Sequence, residues 1–124
     1  MKGTLVSIKP DGSLDVAEAS DPDLLPVLKA AIGGGYLEAV PGFNTVPVPL
    51  IGGGSAVVVP CVAFCDEDGK RKRLPLNERA TALWNDALRR RGLPGLVDSS
   101  GRMHDVLVGS VAVVYGDREF MAAL

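Results

Sequence analysis

The sequence predicts an α+β domain in which a small, mostly antiparallel sheet carries one main helix on a face. Three observations predict it. Residues 57–65 form a short apolar run too β-branched for a helix, residues 77–91 carry a helical apolar period, and turn signals at 10–13 and 66–69 follow strand-length segments. With 124 residues the chain is one domain, residues 1–124, burying roughly two-thirds of its unfolded surface.

Taken in order, residues 3–9 read as a first strand, the Pro10-Asp11-Gly12-Ser13 turn returns the chain, and residues 14–18 complete a hairpin. Asp21-Pro22-Asp23 reads as a helix cap. Leu24, Leu28, Ala31 and Ile32 then share one helical face until Gly33 stops the helix, with Pro26 tolerable only in its first turn. Residues 36–40 are a short strand candidate. Three prolines within residues 41–49 exclude a central strand and leave a surface loop or an edge segment. Residues 57–65 are expected to be a core strand, with Pro60 marking an edge or a bulge. The acidic turn at 66–69 is expected to feed a basic strand at 70–74, making a second hairpin.

Asn77 is the expected N-cap of the surest helix, on which Ala80, Leu83, Trp84, Ala87 and Leu88 recur at helical spacing. Arg89, Arg90 and Arg91 suit the negative end of its dipole, and Gly92 stops it. Trp84, in the middle of that face, is the expected core anchor. A Gly-rich loop fills residues 93–105, a last strand is expected at 106–115, and residues 117–124 add a short terminal helix.

A formal net charge of -2 disfavours a nucleic-acid coating protein, which needs a surplus of cations. With 47% hydrophobic and 23% charged residues, the chain is globular in composition. No stretch approaches the ~20 apolar residues of a membrane helix, and the first eleven residues lack the apolar core of a signal peptide. A cytoplasmic protein without membrane contact is expected. Cys61 and Cys65, four apart on one strand face, sit too far apart for a disulfide and read as buried free thiols.

The chemical motifs are incomplete. Asp66-Glu67-Asp68-Gly69 opens like a calcium loop, but Lys70 stands at its fifth position and Asn77 at its twelfth. Neither glycine run, 33–35 or 52–54, is followed by Lys-Ser/Thr, as a phosphate loop requires. His104 has no nucleophile arranged beside it, and Asp66 next to Cys65 disfavours a reactive thiolate. No catalytic residue, metal site or cofactor is expected, and an enzyme is the less favoured class.

Four segments in order resemble the phage- and plasmid-encoded family catalogued as domain of unknown function 3846. They are Gly34-Gly35-Tyr36-Leu37-Glu38, the acidic turn with Gly69, Leu74-Pro75-Leu76-Asn77 entering a helix, and the closing strand with Val108-Gly109-Ser110-Val111. The loops at 41–56 and 92–104 are longer than the family pattern. The resemblance brings no catalytic residues. It implies a small non-enzymatic accessory protein of a phage or mobile element that binds a host macromolecule, counter-defence being one such role. The alternative is a small-ligand binder, a nucleotide or phosphate sponge using the glycine segments and the basic strand. Under either reading, the candidate binding residues are Tyr36, Glu38, Arg71, Arg73, Asn77 and Arg90. The two arginine groups are expected to act together only where the helix folds back over the hairpin.

Overall fold

The structure, a computed structural model, describes residues 2–19, 24–50 and 56–124. The order is β1 (Gly3–Ile8), β2 (Leu14–Glu18), α1 (Leu24–Ala31), β3 (Leu37–Ala39), β4 (Thr45–Val48), β5 (Val57–Pro60), β6 (Val62–Asp66), α2 (Glu78–Arg90), β7 (Val111–Gly116) and α3 (Arg118–Ala122). A five-stranded sheet runs β2-β1-β7-β6-β3 with every neighbour antiparallel, and β4 and β5 pair separately. The α+β expectation holds, with α2 as the main helix.

Strand alternation divides the core into two layers. Val6, Ile8, Ala63, Val111 and Val113 face α2, where they meet Trp84, Ala80 and Ala87 together with Phe43 and Val46 beneath the β4–β5 ribbon. Leu5, Ala112 and Val114 face the other way and pack under Leu28 and Ile32 of α1 and Phe120 of α3. The register enforces this, since Leu5 lies opposite Val114 and Val6 opposite Val113. Trp84 is the anchor expected from its spacing: it is 5% exposed, and its indole N–H donates to Pro41 O at 2.8 Å.

Both longer helices end as their glycines predict. After α1, Gly34 N donates to Lys29 O and Gly33 N to Ala30 O; after α2, Leu93 N donates to Leu88 O and Gly92 N to Arg89 O. Each pair satisfies last-turn carbonyls around a glycine in the left-handed region, Gly33 at φ 85° and Gly92 at φ 74°. Pro26 falls in the first turn of α1, where its missing N–H costs nothing. The expected cap at Asp21-Pro22-Asp23 lies outside the described residues.

Three expectations are corrected. Residues 57–65 are two strands in two sheets, broken where Pro60 cannot donate and Cys61 N turns instead to Asn44 O. Residues 70–74 are not a strand but continue a coiled turn, in which Lys72 N donates to Asp68 O and Leu74 N to Gly69 O. Four consecutive cations have no apolar face to bury in a sheet, whereas the coiled turn returns Arg71 to Asp68 and Lys72 to Asp66. The last strand begins at Val111, five residues later than expected, because Gly109 at φ 71° bends the chain and Val108 bridges Leu76 outside the sheet.

Candidate functional site

Asn77 fixes the ground on which the site is built. Its Oδ1 accepts from Ala80 N at 3.0 Å as the N-cap of α2, while its Nδ2 donates to Ile8 O at 2.8 Å and Gly109 O at 2.9 Å. One fully buried carboxamide thereby ties the helix start to β1 and to the bend before β7. Thr81 extends the junction, donating to Asn77 O and accepting from Leu107 N. The stretch 105–108 is thus pinned against α2, and it forms one wall of a cleft.

That cleft, about 230 Å³, lies between the sheet edge at β3 and the middle of α2. Val40, Trp84 and Leu107 supply its apolar lining, with Cys65 among them, and among the described residues Glu38, Glu67 and Asp105 bring carboxylates against one ammonium, that of Lys70. Asp66 also borders the cleft, but strand alternation turns its side chain to the other face of the sheet, with Leu37. Lys70 is already engaged, because its Nζ pairs with Asp105 in an exposed ion pair. Asp66 is engaged as well. Its carboxylate accepts from Lys72 Nζ at 2.6 Å and from Asp68 N at 2.9 Å, and the Lys72 contact holds its pKa below the ordinary aspartate value. Glu38 and Glu67 have no ion-pair partner among the described residues, so the cleft presents net negative charge.

The cysteines offer no nucleophile here. Burial pushes the Cys65 thiol up to about 11, with Glu38 and Asp66 adding to the effect, and burial pushes Cys61 up to about 12. Both are free, and Cys61 is buried with its Sγ toward Phe43 O. His104 is exposed and pairs through Nε2 with Asp98 at 2.8 Å. That carboxylate also accepts from Ser100 and Arg102 N, so the histidine clips a loop shut.

The residues singled out in the sequence are not brought together. Tyr36 is exposed beside β3, and Glu38 lies on β3 itself at the cleft. Arg71 pairs with Asp68 on the surface, and Arg73 is exposed with φ 56°. Arg90 reaches Thr45, its Nε donating to Oγ1 at 3.1 Å, at the other end of the helix from Asn77. Among the described residues no hydrogen bond or ion pair joins the 70–73 cations to the 89–91 arginines. Gly33 borders a separate depression of about 300 Å³ with Lys72 and Ser110, but the Lys72 ammonium there is held by Asp66.

The sequence reading missed the opposing wall. Asp105 stands 35 residues from Lys70, and no local motif announces that a Gly-rich loop will return to the acidic turn. The available signal was the cap itself: a buried Asn needs partners for both amide hydrogens, and at a helix entry those come from segments distant in sequence. Comparison of the chain with protein-family models, with curated proteins and with solved structures finds no match in any of the three. None of the three supports the resemblance to the domain of unknown function 3846 family, which rests only on the motifs quoted above.

Proposed function

We propose that this is a non-enzymatic binding protein whose cleft receives a lysine or arginine side chain of a partner protein. The accessory role in a phage or mobile element that the family resemblance implies, with a host protein as the partner, is compatible with it. The observation that carries the reading is the cleft's lining: three carboxylates, those of Glu38, Glu67 and Asp105, to the one ammonium of Lys70 above an apolar floor. A long basic side chain matches both parts, its alkyl stem against Val40, Trp84 and Leu107 and its charged head at Glu38 and Glu67. Arginine adds cation–π attraction to the indole of Trp84.

Size and charge both act against the nucleotide alternative. At about 230 Å³ the cleft falls below the roughly 300–1,000 Å³ of ordinary small-molecule pockets, and phosphate would meet unpaired carboxylates. Thermal unfolding with N-acetyl-arginine amide and with AMP separates the readings. A ligand at ten times a millimolar Kd adds about 1.4 kcal/mol of stability, which raises Tm by roughly 3–6 °C in a chain of this size. The arginine derivative is expected to produce that rise and AMP none. A rise with AMP alone would overturn the proposal.

A further inference from the structure

We infer that the partner's basic residue arrives on an extended segment that adds as a sixth strand to the open edge of β3. This inference rests on the cleft reading above and specifies the partner's backbone. Among the described residues, β3 is the terminal strand of the five-stranded sheet and pairs with β6 alone. Glu67 N donates to Tyr36 O, and Val40 N donates to Ala63 O. By the alternation of an antiparallel ladder, residues 36, 38 and 40 spend their backbone groups on β6, and those of Leu37 and Ala39 point outward. Among the described residues, neither Leu37 nor Ala39 has a backbone hydrogen-bond partner on that side. The edge carries no proline and no lysine, two usual means of blocking strand addition.

The side chains set what an added strand must carry. Glu38 lies opposite Cys65, whose side chain packs into the core layer facing α2, so Glu38 projects on the cleft side of the sheet. In an antiparallel addition the partner residue opposite Glu38 shares that face. It forms a non-hydrogen-bonded pair, the closer kind, with Cα atoms about 4.5 Å apart. A lysine or arginine there meets the Glu38 carboxylate and enters the cleft. The residues before and after it face the other side, beside Leu37 and the half-buried Phe64. The recognised pattern is therefore apolar-basic-apolar in extended conformation, with affinity from the ladder and selection from the cleft.

Backbone methylation of a short peptide tests this. The probe is acetyl-Thr-Val-Arg-Val-Thr-amide, followed through the fluorescence of Trp84, the protein's one tryptophan, which lines the cleft. N-methylation of both valines removes the N–H groups aimed at β3 and is expected to weaken binding by roughly tenfold or more, while N-methylation of the arginine, whose N–H points away, leaves it unchanged. The Ala39→Pro protein, which loses an outward N–H and no β6 bond, is expected to bind the unmodified peptide as weakly as the wild type binds the valine-methylated one. Equal affinity for all three peptides would overturn the strand addition and leave the cleft reading standing. An arginine peptide binding no tighter than its glutamine counterpart would overturn both.

Discussion

Asp66 and Lys72 form an ion pair with Oδ2 and Nζ 2.6 Å apart, in which the aspartate side chain is 4% exposed and the lysine side chain 44%. The sheltered partner is therefore the anion. Because Lys72 and the Asp68 N–H hold the Asp66 pKa below its ordinary 3.8, folding is stabilised by this group above that value. The contribution is lost as pH falls below 3.8 and through the folded-state pKa. In denaturant titrations, the stability gap between wild type and Lys72→Ala should narrow from about pH 5 toward about pH 2. A gap independent of pH would show that Lys72 acts through packing alone.

Asn77→Ala should be among the most damaging polar substitutions. It removes an N-cap, worth about 1 kcal/mol, and leaves Ile8 O and Gly109 O without their carboxamide donor, so the total should reach roughly 2–4 kcal/mol by chemical denaturation. Asn77→Asp should not rescue, because a carboxylate keeps the cap but puts negative charge against two carbonyl oxygens. Recovery by Asp would make the cap the whole effect.

Gly35 and Gly33 both have positive φ, at 94° and 85°, yet they should respond differently to alanine. At Gly33 an added Cβ meets open space, so Gly33→Ala carries only the left-handed penalty of about 1–2 kcal/mol. At Gly35 the Cβ would stand 2.7 Å from Asp66 Oδ2, an atom held in place by Lys72. Gly35→Ala should therefore cost more, and Lys72→Ala should recover part of the difference by freeing the carboxylate. Thermal melts of the two single variants and the double variant measure this directly.

These same residues show how far the sequence could be read. The cap at Asn77, the face of Trp84, both glycine stops and the first hairpin were legible because each is decided within one turn or one hairpin. The acidic turn was legible as a turn. Its continuation was not, because four consecutive cations carry no periodicity of their own, and their pairing with Asp66 and Asp68 goes with the coil. The break at Pro60 was marked by the proline, but its consequence, two strands in different sheets, depends on Asn44 lying beside Cys61. The cleft was least legible. Glu38, Glu67 and Asp105 come from three separate segments, and their convergence follows from sheet order.

Lys70→Ala separates stability from binding. The Lys70–Asp105 pair is exposed, and such pairs are worth about 0–1 kcal/mol, so the melt should hardly move. Losing the cleft's one ammonium should strengthen arginine binding several-fold. Unchanged or weaker arginine binding would contradict a cleft that selects its ligand by charge.

The central claim is that the cleft selects a basic side chain, and Trp84 reports on it from within. Titrating N-acetyl-arginine amide into the wild type should change the Trp84 emission saturably. The affinity should fall as salt rises from about 0.1 M to 1 M, where the screening length shortens from about 10 Å to 3 Å. In the Glu38→Gln, Glu67→Gln double variant the response should be lost while the melting temperature stays the same. Unchanged emission in the wild type, or an equal response in the double variant, would contradict the account.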